Sequence, residues 1–330
     1  MSQLLSWLVC LVLGAFGLVF GSFANVLIWR MPRGESIVSP GSRCPSCEHP
    51  IRWYDNVPVI SWLALRGKCR DCGEPIAWRY PAVELASGAL WVLAFWRWGL
   101  SPSLPLAIVF FYVLLVLAVI DIDTRRLPTP LVAVIAVAGW IGVLAHWVTG
   151  LEFGPLIGSG GGGWLGHPAV VAMIGFVAGG GTSVAVATLY SLLRKADGLG
   201  FGDVRLLGAM GIVLGPYVLL AYALANVFGV FGAIPVMIRG RRAAREEVAE
   251  DRVAGDRDSG DAFWDRDAVP PSVEDSRDET PAVGDEADSG SAPTPPLSIQ
   301  FGPFLALAGV VTALWGPALW HAYLHTVGMV

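Results

Sequence analysis

Two sets of residues in this 330-residue chain have types and spacing suited to chemistry. The first is acidic. Setting aside Glu152, the apolar portion of the chain carries only Glu84, Asp121, Asp123, Asp197 and Asp203. Asp203 ends Gly200-Phe201-Gly202-Asp203 and stands just before a short apolar run, Leu206 to Leu214. Asp121-Ile122-Asp123 closes another apolar run. An ionisable group at a membrane boundary is costly, which makes a functional role the starting hypothesis. Two carboxylates converging from different helices form the arrangement an aspartyl protease needs. They cannot both ionise easily, so the pair keeps one proton: one member deprotonates water while the other polarises the scissile carbonyl. The plainer alternatives are a loop Asp acting as a turn residue, or helix ends solvated or paired with Arg125 and Arg126. Residues two apart on a helix point about 200° from each other, so Asp121 and Asp123 cannot face Asp203 equally.

The second set is Cys44-Pro-Ser-Cys47 and Cys69-Arg-Asp-Cys72, with 21 residues between the pairs. Paired CxxC turns at this separation suit a closed tetrahedral zinc site with four thiolates. Such a site would knit together a loop of about 50 residues that is too small to hold itself by a hydrophobic core. A thiol redox pair is the alternative. Cys10 falls mid-helix as a small core residue, and His49 lies beside the ligands or is exposed. Glu84, just after Tyr80-Pro81, reads as a helix-start carboxylate favoured by the macrodipole. No Ser/His/Asp set presents itself, and the i,i+4 pair His321 and His325 lacks a third ligand.

Elements must carry these residues, and composition says which kind. Mean hydropathy is +0.59 and charged residues are 15%, which places the chain among all-α polytopic membrane proteins. Residues 246–288 hold 16 of the 27 acids and 4 of the 22 basic residues, so the acidity belongs to one segment and the remainder is basic. No aromatic-basic pattern points to nucleic acid. Leu4 to Trp29 is long enough to span a bilayer; without a basic leader or cleavage site it is expected to be retained. Further apolar segments are Pro81–Trp98, Leu104–Ile120, Pro130–Val148, Ala169–Leu193, Leu206–Leu214, Val218–Ile238 and Phe301–Leu324, for about eight membrane helices. At nine residues Leu206–Leu214 is only ~14 Å as a helix, about half the hydrocarbon thickness, and needs protein or a wet cleft around it.

Eight basic residues between Arg30 and Arg79 put that segment in the cytoplasm by the positive-inside rule, with the N-terminus outside. The other basic clusters share that side, apart from a lone Arg97. The division expected is a first membrane helix over 1–30, a cytoplasmic four-cysteine zinc loop over 31–79 and a membrane core over 80–238. A disordered acidic insertion over 239–300, rich in Asp, Glu, Pro, Ser and Gly, and a last helix over 301–330 complete it. No internal repeat stands out.

With these residues in view the chain closely resembles the type IV prepilin peptidase family, membrane aspartyl proteases of GxGD type. The resemblance is carried by Gly21-Ser22-Phe23-Ala24-Asn25-Val26, by the run from Cys44 through Asn56-Val57-Pro58 and Ser61-Trp62 to Cys72, and by Tyr80-Pro81-Ala82-Val83-Glu84. It continues through Asp121-Ile122-Asp123 ahead of Leu127-Pro128, Gly200 to Asp203, and Phe301-Gly302-Pro303-Phe304-Leu305. It implies cleavage of the basic leader of prepilins and pseudopilins at the cytoplasmic face of the bacterial inner membrane. It also implies a second activity, N-methylation of the new N-terminus with S-adenosylmethionine. In the family pattern the acid seven residues before the Leu-Pro proline is catalytic, which carries onto Asp121, and its partner carries onto Asp203. Two positions depart from the pattern: Thr129 stands where Asp or Asn is common, and Arg205 where Lys is common.

Two rival readings belong to other classes. A transporter relaying ions would favour acids deep within spans and repeated halves, whereas these acids cluster at one mouth. A zinc or redox sensor anchored by helices would leave the GxGD motif incidental.

Overall fold

The structure, a computed structural model, describes residues 3–151, 153, 156, 166–194, 200–235 and 300–326. The helices are α1 (Gln3–Arg30), a one-turn α2 (Ile60–Ala64), α3 (Arg79–Trp98), α4 (Ser103–Thr124), α5 (Thr129–Thr149), α6 (Pro168–Arg194), α7 (Phe201–Leu214), α8 (218–235) and α9 (Gly302–Thr326). Among the described residues there is no β-sheet, only two isolated bridges. Over its described residues, every apolar segment expected to be a membrane helix is helical apart from its ends. Among the described residues six stretches are long and apolar enough to cross a membrane, with α7 and α8 counted together as Phe201–Pro235. α3 has spanning length as well but carries Arg79, Glu84 and Arg97. The expected acidic insertion and the glycine-rich loop at 158–163 lie outside the described residues.

Residues Met1–Gly229 with Gln300–Val330 make one compact unit, and Val230–Ile299 make a second, of which 230–235 finish α8. Within the first unit α4 is the central post. Its residues are apolar around the whole circumference, and Phe110, Phe111, Leu114, Leu117 and Ile120 are fully buried. A helix hydrophobic all round must be surrounded by other helices. α1, α3, α5 and α9 pack on it, which places the lower end of α4, with Asp121, among several neighbours.

α7 is longer than its apolar run suggests. It begins at Phe201 and has 14 residues, ~21 Å of helix, still short of a bilayer. Every residue from Leu206 to Leu214 is buried, so protein surrounds it, as a short intramembrane helix requires. The wrapping depends on close approach to α6. A Cβ on Gly175 would collide with the Gly211 carbonyl, and one on Gly211 with the Gly175 carbonyl. Backbone meets backbone there, the small-residue contact typical of membrane helices.

Arg97, which departs from the expected charge pattern, has a partner. Its Nε donates to the Leu314 carbonyl of α9 at 2.8 Å, three residues before Pro317, which lies inside that helix.

Candidate active site and metal centre

Asp121 sits in the last turn of α4. That helix ends where Arg125 turns left-handed and its N–H caps the Asp121 carbonyl at 2.8 Å. Asp121 is buried at 7% exposure, whereas Ile122 is 54% exposed, so the helix turns Asp121 inward. The Gly302 amide at the start of α9 donates to Asp121 Oδ2 at 3.1 Å. Asp203 lies in the first turn of α7, its N–H donating to the Gly200 carbonyl at 3.0 Å. The two carboxylates are close enough to interact electrostatically. Asp123 is elsewhere: Arg79 Nη1 grips its two oxygens at 2.7 and 2.6 Å. Geometry therefore separates the two acids of α4: Asp121 is buried against Gly302, and Asp123 is held in an ion pair with Arg79.

The two departures from the family pattern meet each other. Arg205 donates to Thr129 Oγ1 and lies 5.0 Å over the Phe201 ring. A long planar guanidinium reaches a short hydroxyl where a different pair of lengths would be needed for Lys. Nearby, a Cβ on Gly202 would sit 3.1 Å from Leu127 Cβ. The Leu127-Pro128-Thr129 turn thus rests against the first turn of α7, which links the end of the Asp121 helix to Asp203. Gly200 has an ordinary extended backbone (φ −65, ψ 138), so the turn itself does not demand glycine there.

Cys44, Cys47, Cys69 and Cys72 all place their sulfurs within 4.8 Å of one another, and the cluster can hold a metal ion. Cys44 and Cys72 Sγ are 3.8 Å apart. Four thiolates ~2.3 Å from one tetrahedral zinc stand about 3.8 Å from each other, so the donor set fits. The cysteines are free thiols, with no disulfide among them. Amides of Cys47 and Ser46 directed at its sulfur pull the Cys44 thiol down to about 7, while burial and the neighbouring sulfurs push Cys72 up to about 12.

The loop also contains a repeat that the sequence reading missed. Around Cys44 the N–H of Cys44 bonds the His49 carbonyl, Glu48 bonds Cys44, and Ile51 bonds Ser42. Twenty-five residues on, Cys69 bonds Glu74, Gly73 bonds Cys69, and Ile76 bonds Gly67. The available signal is Cys-x-x-Cys-x-x-Pro-Ile, read twice. Arg70, which sits inside the second CxxC, pairs with Asp55 at 2.6 Å and ties the second repeat to the segment between them. That hydrogen-bonded guanidinium holds the Asp55 carboxyl below the usual range.

Glu84 does more than begin a helix. It is buried in α3 and accepts from the Val59 amide at 2.7 Å, and α1 packs closely beside it at Gly21. Val59 has φ +61, a conformation costly for a β-branched residue. Glu84 thus docks the cysteine loop onto the α1/α3 pair. Glu84→Ala leaves a partly buried amide unpaired, a loss of about 1–1.5 kcal/mol. The expected result is loop proteolysis faster by roughly tenfold, read by limited digestion, with helix insertion unchanged.

Comparison with known proteins falls on the same two halves. Residues 15–98 match the model described as the bacterial peptidase A24 N-terminal domain. Residues 108–236 match the model described as the type IV leader peptidase family. Three similar proteins bear the name prepilin leader peptidase/N-methyltransferase. That of Myxococcus xanthus is 34% identical over 317 residues, covering 92% of this chain and 89% of the relative. That of Klebsiella pneumoniae is 37% identical over 207 residues, 60% of this chain and 82% of the relative. That of Stutzerimonas stutzeri is 31% identical over 349 residues, 98% and 96%. No solved structure matches.

Proposed function

Because the chain belongs to the type IV leader peptidase family, we propose that it is a membrane aspartyl endopeptidase removing the basic leader of prepilins and pseudopilins, with Asp121 and Asp203 as its catalytic pair. What supports this reading is that Asp121 is buried at the end of α4 and its charge acts on Asp203 in the first turn of α7, while Asp123 is held by Arg79. The pair shares one proton. The ionised carboxylate takes a proton from water as the water oxygen bonds to the scissile carbonyl carbon. The protonated carboxyl gives its proton to the carbonyl oxygen. The resulting tetrahedral diol collapses when the leaving nitrogen is protonated, the C–N bond breaks, and the dyad returns to one proton. The low acid content around the site keeps competing charges away.

The four cysteines would hold a structural zinc, which supplies folding energy to the loop and takes no part in hydrolysis. A second activity, methylation of the newly exposed N-terminus with S-adenosylmethionine as methyl donor, is proposed from the names of the relatives. The expected setting is the bacterial inner membrane, with the cysteine loop and both aspartates on the cytoplasmic face, since the basic residues of 30–79 favour that side.

The test is incubation of the purified protein with a pilin precursor, followed by intact mass. The peptidase yields a product shortened by its leader, and with added S-adenosylmethionine the product gains one methyl group. A precursor left at full length by well-folded protein would favour the transporter or sensor readings instead.

A further inference from the structure

We propose that Gly302 is a positioning residue for Asp121, its amide and its missing side chain together fixing the orientation of that carboxylate. The inference rests on the aspartyl reading above. The two residues are 181 positions apart, on opposite sides of the acidic insertion. The Gly302 N–H donates to Oδ2 in a buried contact of 3.1 Å. A Cβ at this position would lie 2.5 Å from Oδ2, 2.8 Å from Cγ and 3.1 Å from Cβ of Asp121. Those are atoms of a short, buried side chain with little room to yield, so only glycine allows the contact.

The helix start is itself held on both sides. Gln300 Nε2 donates to the Ile122 carbonyl at 3.1 Å, one of the last carbonyls of α4, which a helix end leaves without an intrahelical partner. Phe301 meets the Tyr222 ring of α8 edge-on at 6.2 Å. An N–H pointing at Oδ2 makes that oxygen an acceptor. The bond favours charge on Oδ2 and so favours the proton of the dyad on Oδ1 of Asp121 or on Asp203. Gly302 thus selects which edge of the carboxylate is available for proton transfer.

The experiment compares Gly302→Ala with Gly309→Ala at matched membrane levels, using a pilin precursor. Gly309 lies two turns further along α9, and a Cβ there meets Met210 Cε at 2.6 Å and Leu114 Cδ1 at 3.0 Å, the ends of adaptable side chains. Displacing a reacting group by about 1 Å costs on the order of 100-fold. Gly302→Ala is therefore expected to lower kcat about 100-fold, leave KM within about threefold, and displace the pH profile of kcat/KM. Gly309→Ala should stay within about threefold of wild type. Equal losses in the two variants, or a well-inserted Gly302→Ala with unchanged kcat and pH profile, would overturn the assignment. Should Gly302→Ala fail to insert, Gln300→Ala loosens the same helix start. It is expected to lower kcat by about fivefold, the worth of one hydrogen bond, and an unchanged kcat overturns the assignment. Asp121→Asn and Asp203→Asn run alongside: if those retain activity the aspartyl reading has failed, whereas dead aspartate variants beside an active Gly302→Ala reject only the role of Gly302.

Discussion

Asp121→Asn and Asp203→Asn are each expected to lower leader cleavage by at least ~1,000-fold, because residues that act as a unit lose nearly all of their acceleration when one is removed. An amide can neither take the proton of water nor hand one to the carbonyl oxygen. Insertion should be preserved, since asparagine is nearly isosteric with aspartate. In the Asp121→Asn variant the side-chain carbonyl oxygen can still accept from the Gly302 amide that now reaches Asp121. Asp123→Asn separates this explanation from a general need for acids at the mouth. It gives up one ion pair with Arg79 whose side chains are 35% and 28% exposed, worth about 0.2–1 kcal/mol. Its cleavage rate should stay within about fivefold of wild type. The measurement is the initial rate of precursor cleavage by the three variants at equal membrane levels. An active Asp121→Asn beside a dead Asp123→Asn would mean the other carboxylate is catalytic. Wild-type rates in Asp203→Asn would remove the aspartyl mechanism.

Metal removal should have the other large effect, on a different part of the chain. A structural zinc contributes about 10–16 kcal/mol of apparent binding energy at neutral pH, far more than the sparse contacts of the 31–79 loop can replace. We expect about one zinc per chain, and loop digestion at least ~100-fold faster after chelation or in Cys69→Ser. The transmembrane helices should remain protected. Cys10→Ser is the matched control, because Cys10 lies in α1 and belongs to no cysteine cluster. A protein with four intact thiols, no zinc and a loop that stays protected would refute the assignment. The same samples report on coupling between the two halves: if the loop serves only the proposed methylation, cleavage should survive chelation.

Much of this is legible in residue order. Each membrane helix is recognisable from its apolar run, because a span needs about 20 consecutive residues of one character and signals itself locally. The four sulfurs are legible for a similar reason. Two CxxC turns each position a pair of ligands by short-range geometry, and only their mutual approach needs the fold. The repeated hydrogen bonds around them are harder to read, since eight residues are a short signal. The full length of α7 is hidden because Phe201 to Arg205 is polar in part and has the composition of a loop. Contacts with the Leu127-Pro128-Thr129 turn, at Gly202 and Arg205, give those residues tertiary partners in helical form.

Residue order by itself determined that this is a helical membrane protein with a four-thiolate loop and a few acids at one mouth. Local patterning is enough for each of those statements, because hydrophobic length and ligand spacing act within tens of residues. Which of the two acids of α4 is buried, and which is held in an ion pair, was decided by tertiary structure. Asp121 and Asp123 are equivalent in type and two positions apart, and what separates them is contact with residues far along the chain: Gly302, 181 positions away, on one, and Arg79, 44 positions back, on the other. Close approach of backbones at Gly302, and of Arg205 to Thr129, depends on how helices cross. Helix crossing is set by the packing of whole faces, which no short motif specifies.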